Sequence, residues 1–230
     1  MNTVHSLTLA ALLCAPAIAA PTDTMMVRKT HIDAFKSGSG ETPARDTTQT
    51  IWISKNHVRM ESDDNVVLLR LDDKKLYLID PKQKTYNTIG LPFDIKKYLP
   101  PEMGELFDKM KASNPITGTV TATDETKKIH DWTAKKFELS MQGGMGGAVT
   151  EDIWTTTDIA IDTTAIGEML RLKASMMPGG EAVAEEMKKI TGVPVMSDRT
   201  QGPIKTHEEL VSVEQKDAPA GAFEVPKDYT

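Results

Sequence analysis

Thr47-Thr48-Gln49-Thr50-Ile51-Trp52-Ile53-Ser54, Val58-Arg59-Met60-Glu61, Val66 to Leu71, Lys75 to Ile79 and Thr85 to Ile89 follow one another with only short gaps. Thr47 to Ser54 is rich in β-branched residues, the short runs after it continue the series, and the prevailing period is two, the mark of half-buried strands. Lys55-Asn56, Asp63-Asp64-Asn65, Asp72-Asp73 and Asp80-Pro81 separate them. Such residues favour turns, because Asp and Asn side chains bond their own backbone and proline presets φ. Connections this short force antiparallel pairing, since a parallel pair needs a long crossover.

The same period extends outward. Met26 to Phe35 reads as an earlier strand, with Ser37-Gly38-Ser39-Gly40 as a flexible turn behind it. Beyond Ile89 the period changes: Met103, Leu106, Phe107 and Met110 fall on one face of a helix that Pro100-Pro101 opens and Asn114-Pro115 closes. Strands resume at Thr117 to Thr123, Trp132 to Met141 and Val149 to Thr155. A second helix over 164–177 places Ile166, Met169, Leu170 and Met177 together, and Pro178-Gly179-Gly180 interrupts it. A short third helix over 182–190 and strands over 193–199 and 207–215 complete the pattern. About eleven strands, with helices in two insertions between strand groups, predict an α+β fold with an antiparallel sheet covered on one side.

The chain has 230 residues and a net charge of −6, from 27 Lys plus Arg against 33 Asp plus Glu. That balance argues against nucleic-acid binding, which needs concentrated positive charge to displace phosphate counterions. Met1 to Ala20 contains no Asp, Glu, Lys or Arg, and its apolar run Leu7 to Leu13 precedes the small-x-small pair Ala17 and Ala19. This predicts a signal peptide cleaved after Ala19 or Ala20, hence a periplasmic protein whose residues 21–230 form one domain. The segment is shorter than the roughly 20 apolar residues of a membrane span. The single cysteine, Cys14, lies inside it and follows Leu13, where a lipidation signal needs a small residue. The mature chain then has no disulfide, thiolate nucleophile or Cys-based zinc site.

No G-x-S-x-G elbow, H-E-x-x-H helix or phosphate loop is present, so no catalytic residue, cofactor or metal is expected. His31, His57, His130 and His207 are scattered without ligand spacing and read as exposed strand or turn residues. Asp63-Asp64 and Asp72-Asp73 read as turn residues, and Gly143-Gly144-Met145-Gly146-Gly147 joins two strands where a phosphate loop would lead into a helix. Methionine is abundant, with 13 residues, among them Met141, Met145, Met169, Met176, Met177, Met187 and Met196. Core packing, a deformable apolar pocket and thioether copper binding all use such residues. Helical spacing favours the first two.

Ile51-Trp52-Ile53-Ser54, Val58-Arg59-Met60-Glu61, Leu71 to Pro81 and Thr85-Tyr86 resemble the DUF4412 family of envelope proteins. So do Thr126 to Ile129, Lys135 to Leu139, Glu151 to Asp158 and the ending Gln215 to Pro226. That family is similar to the LolA/LolB/RseB-like group. The resemblance implies an incomplete, strongly curved antiparallel β-barrel with helices covering its concave face. In the lipoprotein carriers of that group the space between sheet and helices holds acyl chains; RseB-like members engage envelope proteins. The carriers place an Arg-Pro pair after the Trp of the second strand, whereas Lys55-Asn56 stands here, and lysine lacks arginine's forked donors.

The combined expectation is a non-enzymatic protein that binds a lipid, acyl chain or lipidated partner. Its apolar lining would come from Trp52 and Trp154 on strands, Met103, Leu106, Phe107 and Met110 on the first helix, and Ile166, Met169, Leu170 and Met177 on the second. The alternative is an envelope interaction or stress-sensing module that uses a sheet edge and no small ligand.

Overall fold

The central strand β1 (Thr24–Ile32) pairs antiparallel with both β4 (Arg45–Ile53) and β13 (Ile204–Gln215), and so joins two meanders. The computed structural model describes residues 22–38, 40–143, 147–175 and 180–230; the predicted leader, residues 1–20, lies outside them. One meander runs through β5 (His57–Glu61), β6 (Val66–Arg70), β7 (Lys75–Asp80) and β8 (Thr85–Gly90). The other runs through β9 (Thr117–Ile129), β10 (Trp132–Gln142), β11 (Val149–Thr156) and β12 (Val193–Gln201). The result is an 11-stranded antiparallel sheet with β8 at one edge and β9 at the other. The edges do not pair, so the barrel is incomplete. A separate hairpin of β2 (Phe35–Ser37) and β3 (Gly40–Thr42) replaces the simple turn expected there.

The sheet is bent strongly. Val58 and Met60 on β5 line the same cavity as Leu139 and Met141 on β10, although β10 lies six strand positions from β5. In a flat sheet those strands would stand about 29 Å apart, at ~4.8 Å per strand. Register shifts at Val27/Arg28, Lys135/Phe137 and Trp154/Thr155 supply bends, because an extra residue on one strand increases local twist.

Helices α2 (Thr164–Ser175) and α3 (Glu181–Met187) cover the concave face. Ala165 and Leu172 of α2 are buried in the main core with Met26, Ile51 and Val195. At the start of the helix Asp162 accepts the Thr164 N–H at 2.9 Å, and hydrogen bonds from the Thr164 side chain first and its backbone second hold the Asp162 carboxyl below the usual range. Helix α3 sits so close to β9 that a Cβ at Gly118 would stand 2.9 Å from Val183 Cγ2. Val183, fully buried, anchors α3 against Phe137, Leu139 and Ile153. From the same helix Glu186 accepts the Val120 N–H at 2.9 Å and pairs with Lys189 at 2.7 Å. An edge strand's open donor is thereby occupied, which blunts pairing with another chain.

Helix α1 (Pro101–Ser113) has a different place. It belongs to the connection that carries the chain from edge β8 to edge β9, after a 3₁₀ turn over Ile95–Tyr98. Lys96 and Asp108 join the turn to the helix at 2.7 Å. Met103 and Leu106 are each 47% exposed, so the cover over the sheet comes from α2 and α3.

The convex face is also partly buried. Leu68 and Leu69 are successive residues pointing to opposite faces, and both are 0% exposed. The outer one, Leu68, packs with Val66, Tyr77 and Ile79 under Phe223, Val225 and Tyr229 of the C-terminal tail. Arg59 Nη1 donates to the Ala222 carbonyl at 3.1 Å, Phe223 stacks on His57, and Tyr86 N–H donates to the Thr230 carbonyl at 3.0 Å. The tail thus straps β5 to β8.

Candidate functional site: an apolar cavity with a polar strip

Strand alternation turns Met26 of β1, Ile51 of β4 and Val58 of β5 toward the concave side, while α2 presents Ile166, Met169 and Leu170 from above. The second meander supplies Leu139, Met141 and Ile153, and α3 with its following turn supplies Val183, Met187 and Ile190. Together they enclose a cavity of about 310 Å³, at the lower end of the range that small-molecule ligands use. Six methionines contribute, with Met60 and Met196 joining those named. Unbranched thioether side chains can re-pack around guests of differing shape. A second depression of about 390 Å³ lies along α2 and the turn after α3, and shares Ile166, Leu170, Met187, Ile190 and Pro194 with the cavity. These five side chains therefore form the wall between the two spaces.

The cavity floor is not wholly apolar. Arg28, Glu151, Ser197, Arg199, Thr206, Glu208 and Glu209 also line it. Cross-strand register sets them side by side: Glu151 faces Arg199, Arg199 faces Thr206, and Ser197 faces Glu208. Arg28 Nη1 lies 3.7 Å from Glu208 Oε2, and Arg199 Nη2 donates to Gln201 Oε1 at 3.0 Å.

Of the residues singled out from the sequence, Ile166, Met169 and Leu170 stand in the cavity wall. Trp154 is buried in the main core with the Lys127 ammonium 4.0 Å above its ring, and is not part of the lining. Trp52 lies on the face of β4 opposite Ile51 and Ile53, because neighbouring strand residues alternate; it pairs across to Met25 and Arg59. Met103 and Leu106 are half exposed on α1, away from the lining. The side chains of Phe107 and Met110, and all of Met177, lie outside the described residues. The polar strip escaped the sequence reading, yet it left a signal: Arg28 is in phase with buried Met26, and Glu208 with buried Leu210.

The four histidines among the described residues all meet carboxylates. His31 contacts Asp46 and Asp33, His207 contacts Asp198, and His130 contacts Glu209. Ser54 Oγ lies 2.9 Å from His57 Nδ1, and His57 Nε2 lies 3.0 Å from Asp72 Oδ1. These are the residue types of a hydrolase triad. Here they join the β4–β5 turn to the β6–β7 turn outside the cavity, with Arg70 also on Asp72 and Phe223 stacked on the imidazole. Asp72 also accepts the Asp73 N–H at 3.0 Å, and Asp80 accepts those of Lys82 and Gln83 at 2.9 Å, as turn-forming aspartates do. Among the described residues, no group of His, Cys, Asp and Glu is placed to hold a metal ion, and no helix is long and apolar enough to cross a membrane.

No curated protein matches the sequence. Several solved structures are similar in shape. PNGF-II matches with a TM-score of 0.44 and 11% identity over 87% of this chain, which spans only 29% of the PNGF-II chain. The lipoprotein LppX of Mycobacterium tuberculosis gives a TM-score of 0.33 and 10% identity, over 86% of this chain and 89% of LppX. A putative outer membrane lipoprotein-sorting protein domain from Vibrio parahaemolyticus gives 0.31 and 8%, over 87% and 88%. In sequence, residues 41–229 match the family described as Domain of unknown function (DUF4412), and the chain belongs to that family.

Proposed function

We propose that the protein is a non-enzymatic periplasmic binding protein that holds an acyl chain, of a free lipid or of a lipidated partner, between its curved sheet and helices α2 and α3. The observation that carries this reading is the 310 Å³ cavity, walled by Ile166, Met169 and Leu170 over a sheet face of Met, Ile, Val and Leu. Each buried methylene contributes about 0.8 kcal/mol, so about ten of them supply ~8 kcal/mol before the costs of association. The methionines of the wall suit a chain of variable length and unsaturation. A module that works through a bare sheet edge has less support, because Glu186 occupies a β9 donor and Thr230 bonds along β8.

Native mass spectrometry of the protein, purified gently from the cell envelope, tests the proposal. The expected result is a bound species whose mass and fragmentation identify an acyl chain. A protein that carries no such species and takes up none of a series of added amphiphiles would overturn it.

A further inference from the structure

A sheet face that merely packed under helices would have no use for four charged side chains in its apolar phase. Taking a charge out of water is costly unless it is paired and hydrogen-bonded. Yet Arg28, Glu208, Arg199 and Glu151 all turn to the cavity, on the four adjacent strands β1, β13, β12 and β11. The signs alternate along this strip, and Glu209, next to Glu208 on β13, adds a third carboxylate to the lining. Arg28 and Glu208 form an ion pair at 3.7 Å, longer than a hydrogen bond, and both line the cavity. Ser197 and Thr206 add hydroxyls between them.

We infer that this strip reads the head of the bound amphiphile, and that the head is dipolar, with an anionic and a cationic group close together, as in a phosphoethanolamine. The inference rests on the acyl-binding reading and names its ligand class. A lone carboxylate, as in a fatty acid, gains an arginine but meets Glu208 and Glu151. A lone quaternary ammonium gains a glutamate but meets Arg28 and Arg199. A head bearing both signs matches both, with its phosphate toward the guanidiniums, where bidentate charge-assisted hydrogen bonds are available, and its ammonium toward the carboxylates. The apolar surface on either side, from Met26, Ile51 and Val58 in one direction and Leu139 and Met141 in the other, receives the chain. The small cavity favours one acyl chain over two.

Isothermal titration of the purified protein at low ionic strength, with four probes of one chain length, decides the matter. The probes are lauroyl lysophosphatidylethanolamine, laurate, dodecyltrimethylammonium and dodecyl maltoside, each below its micellar concentration. The zwitterionic probe is expected to bind at least about tenfold more tightly than the other three. Arg199→Gln and Glu208→Gln are each expected to reduce that advantage to about threefold or less. Equal affinity for all four heads, or tightest binding of laurate, would overturn the inference and leave the acyl-binding proposal standing. Binding of none would overturn both. The wild-type series alone suffices should either variant fail to fold.

Discussion

His31 and His207 stand opposite each other across the β1–β13 ladder, and each directs Nδ1 at an aspartate one strand further out. Asp46 on β4 lies 2.7 Å from His31, and Asp198 on β12 lies 2.7 Å from His207. The four residues form a row across β4, β1, β13 and β12 on the convex face, opposite the cavity strip. Two imidazoles at facing positions repel when both are charged, and the flanking carboxylates offset that repulsion.

The His31 pKa is raised above 6.5, chiefly by the hydrogen bond to Asp46, with Asp33 also contributing. A raised histidine pKa means that the folded state holds its proton more tightly than the unfolded chain. The stabilisation is therefore complete below 6.5 and is lost as pH rises through the folded-state value. His31→Gln is expected to lower Tm at about pH 6 and to leave it nearer wild type at about pH 9. Thermal scans along that series check it; a Tm difference that widens with pH would contradict the assignment.

Asp72 behaves in the opposite sense. The hydrogen bond from Arg70, followed by that from His57, holds its carboxyl down at about 2. A depressed carboxyl stabilises the fold above its unfolded value of 3.8 and ceases to do so as pH falls toward 2. Asp72→Asn is expected to lower Tm at neutral pH by an amount that stays level down to about pH 4 and closes toward about pH 2. Asp72 is 39% exposed, so added salt should shrink the neutral-pH difference. A salt-insensitive loss would show that Asp72 acts mainly through its turn hydrogen bond.

The strand pattern was legible because one face of most strands meets water. Where that condition fails, the reading fails with it. β6 is buried on both faces, under the core and under the tail, so Val66 to Leu69 shows no alternation from which to assign a face. Trp52, large and apolar in a similar run, likewise could not be oriented from composition. The helical period of α1 was sound, but amphipathicity does not say what an apolar stripe packs against, and Met103 and Leu106 remain half exposed. Ile166, Met169 and Leu170 differ in that α2 and α3 join β11 to its neighbour β12, whereas α1 joins the two edges of the sheet. The polar strip needed the opposite attention, to charged residues standing where the alternation calls for apolar ones.

Gly192 precedes β12 with φ +85°, and a Cβ there would stand 2.6 Å from the Thr156 carbonyl oxygen. Backbone lies against backbone, so neither side can yield cheaply. Gly192→Ala is expected to cost about 2–3 kcal/mol in urea unfolding, from the left-handed backbone and the contact together. Because Ile190, Pro194 and Val195 line the cavity on either side of this turn, the variant is also expected to weaken acyl binding. A variant as stable as wild type would show that the turn can adopt another backbone.

Met169 and Met103 are both methionines on the apolar stripe of a helix, and their surroundings assign them different parts. Met169 lines the cavity, whereas Met103 is 47% exposed on α1 and does not. A lysine at position 169 would place an ammonium where a chain is to lie, at a desolvation cost of about 2–7 kcal/mol unless it swings out to water. Met169→Lys is therefore expected to weaken binding of a dodecyl maltoside probe by about tenfold or more, and each tenfold is about 1.4 kcal/mol. Met103→Lys changes charge and helix composition identically, yet leaves the cavity wall intact, so its affinity should stay within about twofold of wild type. Titration of both variants beside their unfolding curves separates lost binding from lost fold. Equal weakening by the two would place the acyl chain under α1, and no weakening by either would place it outside the cavity altogether.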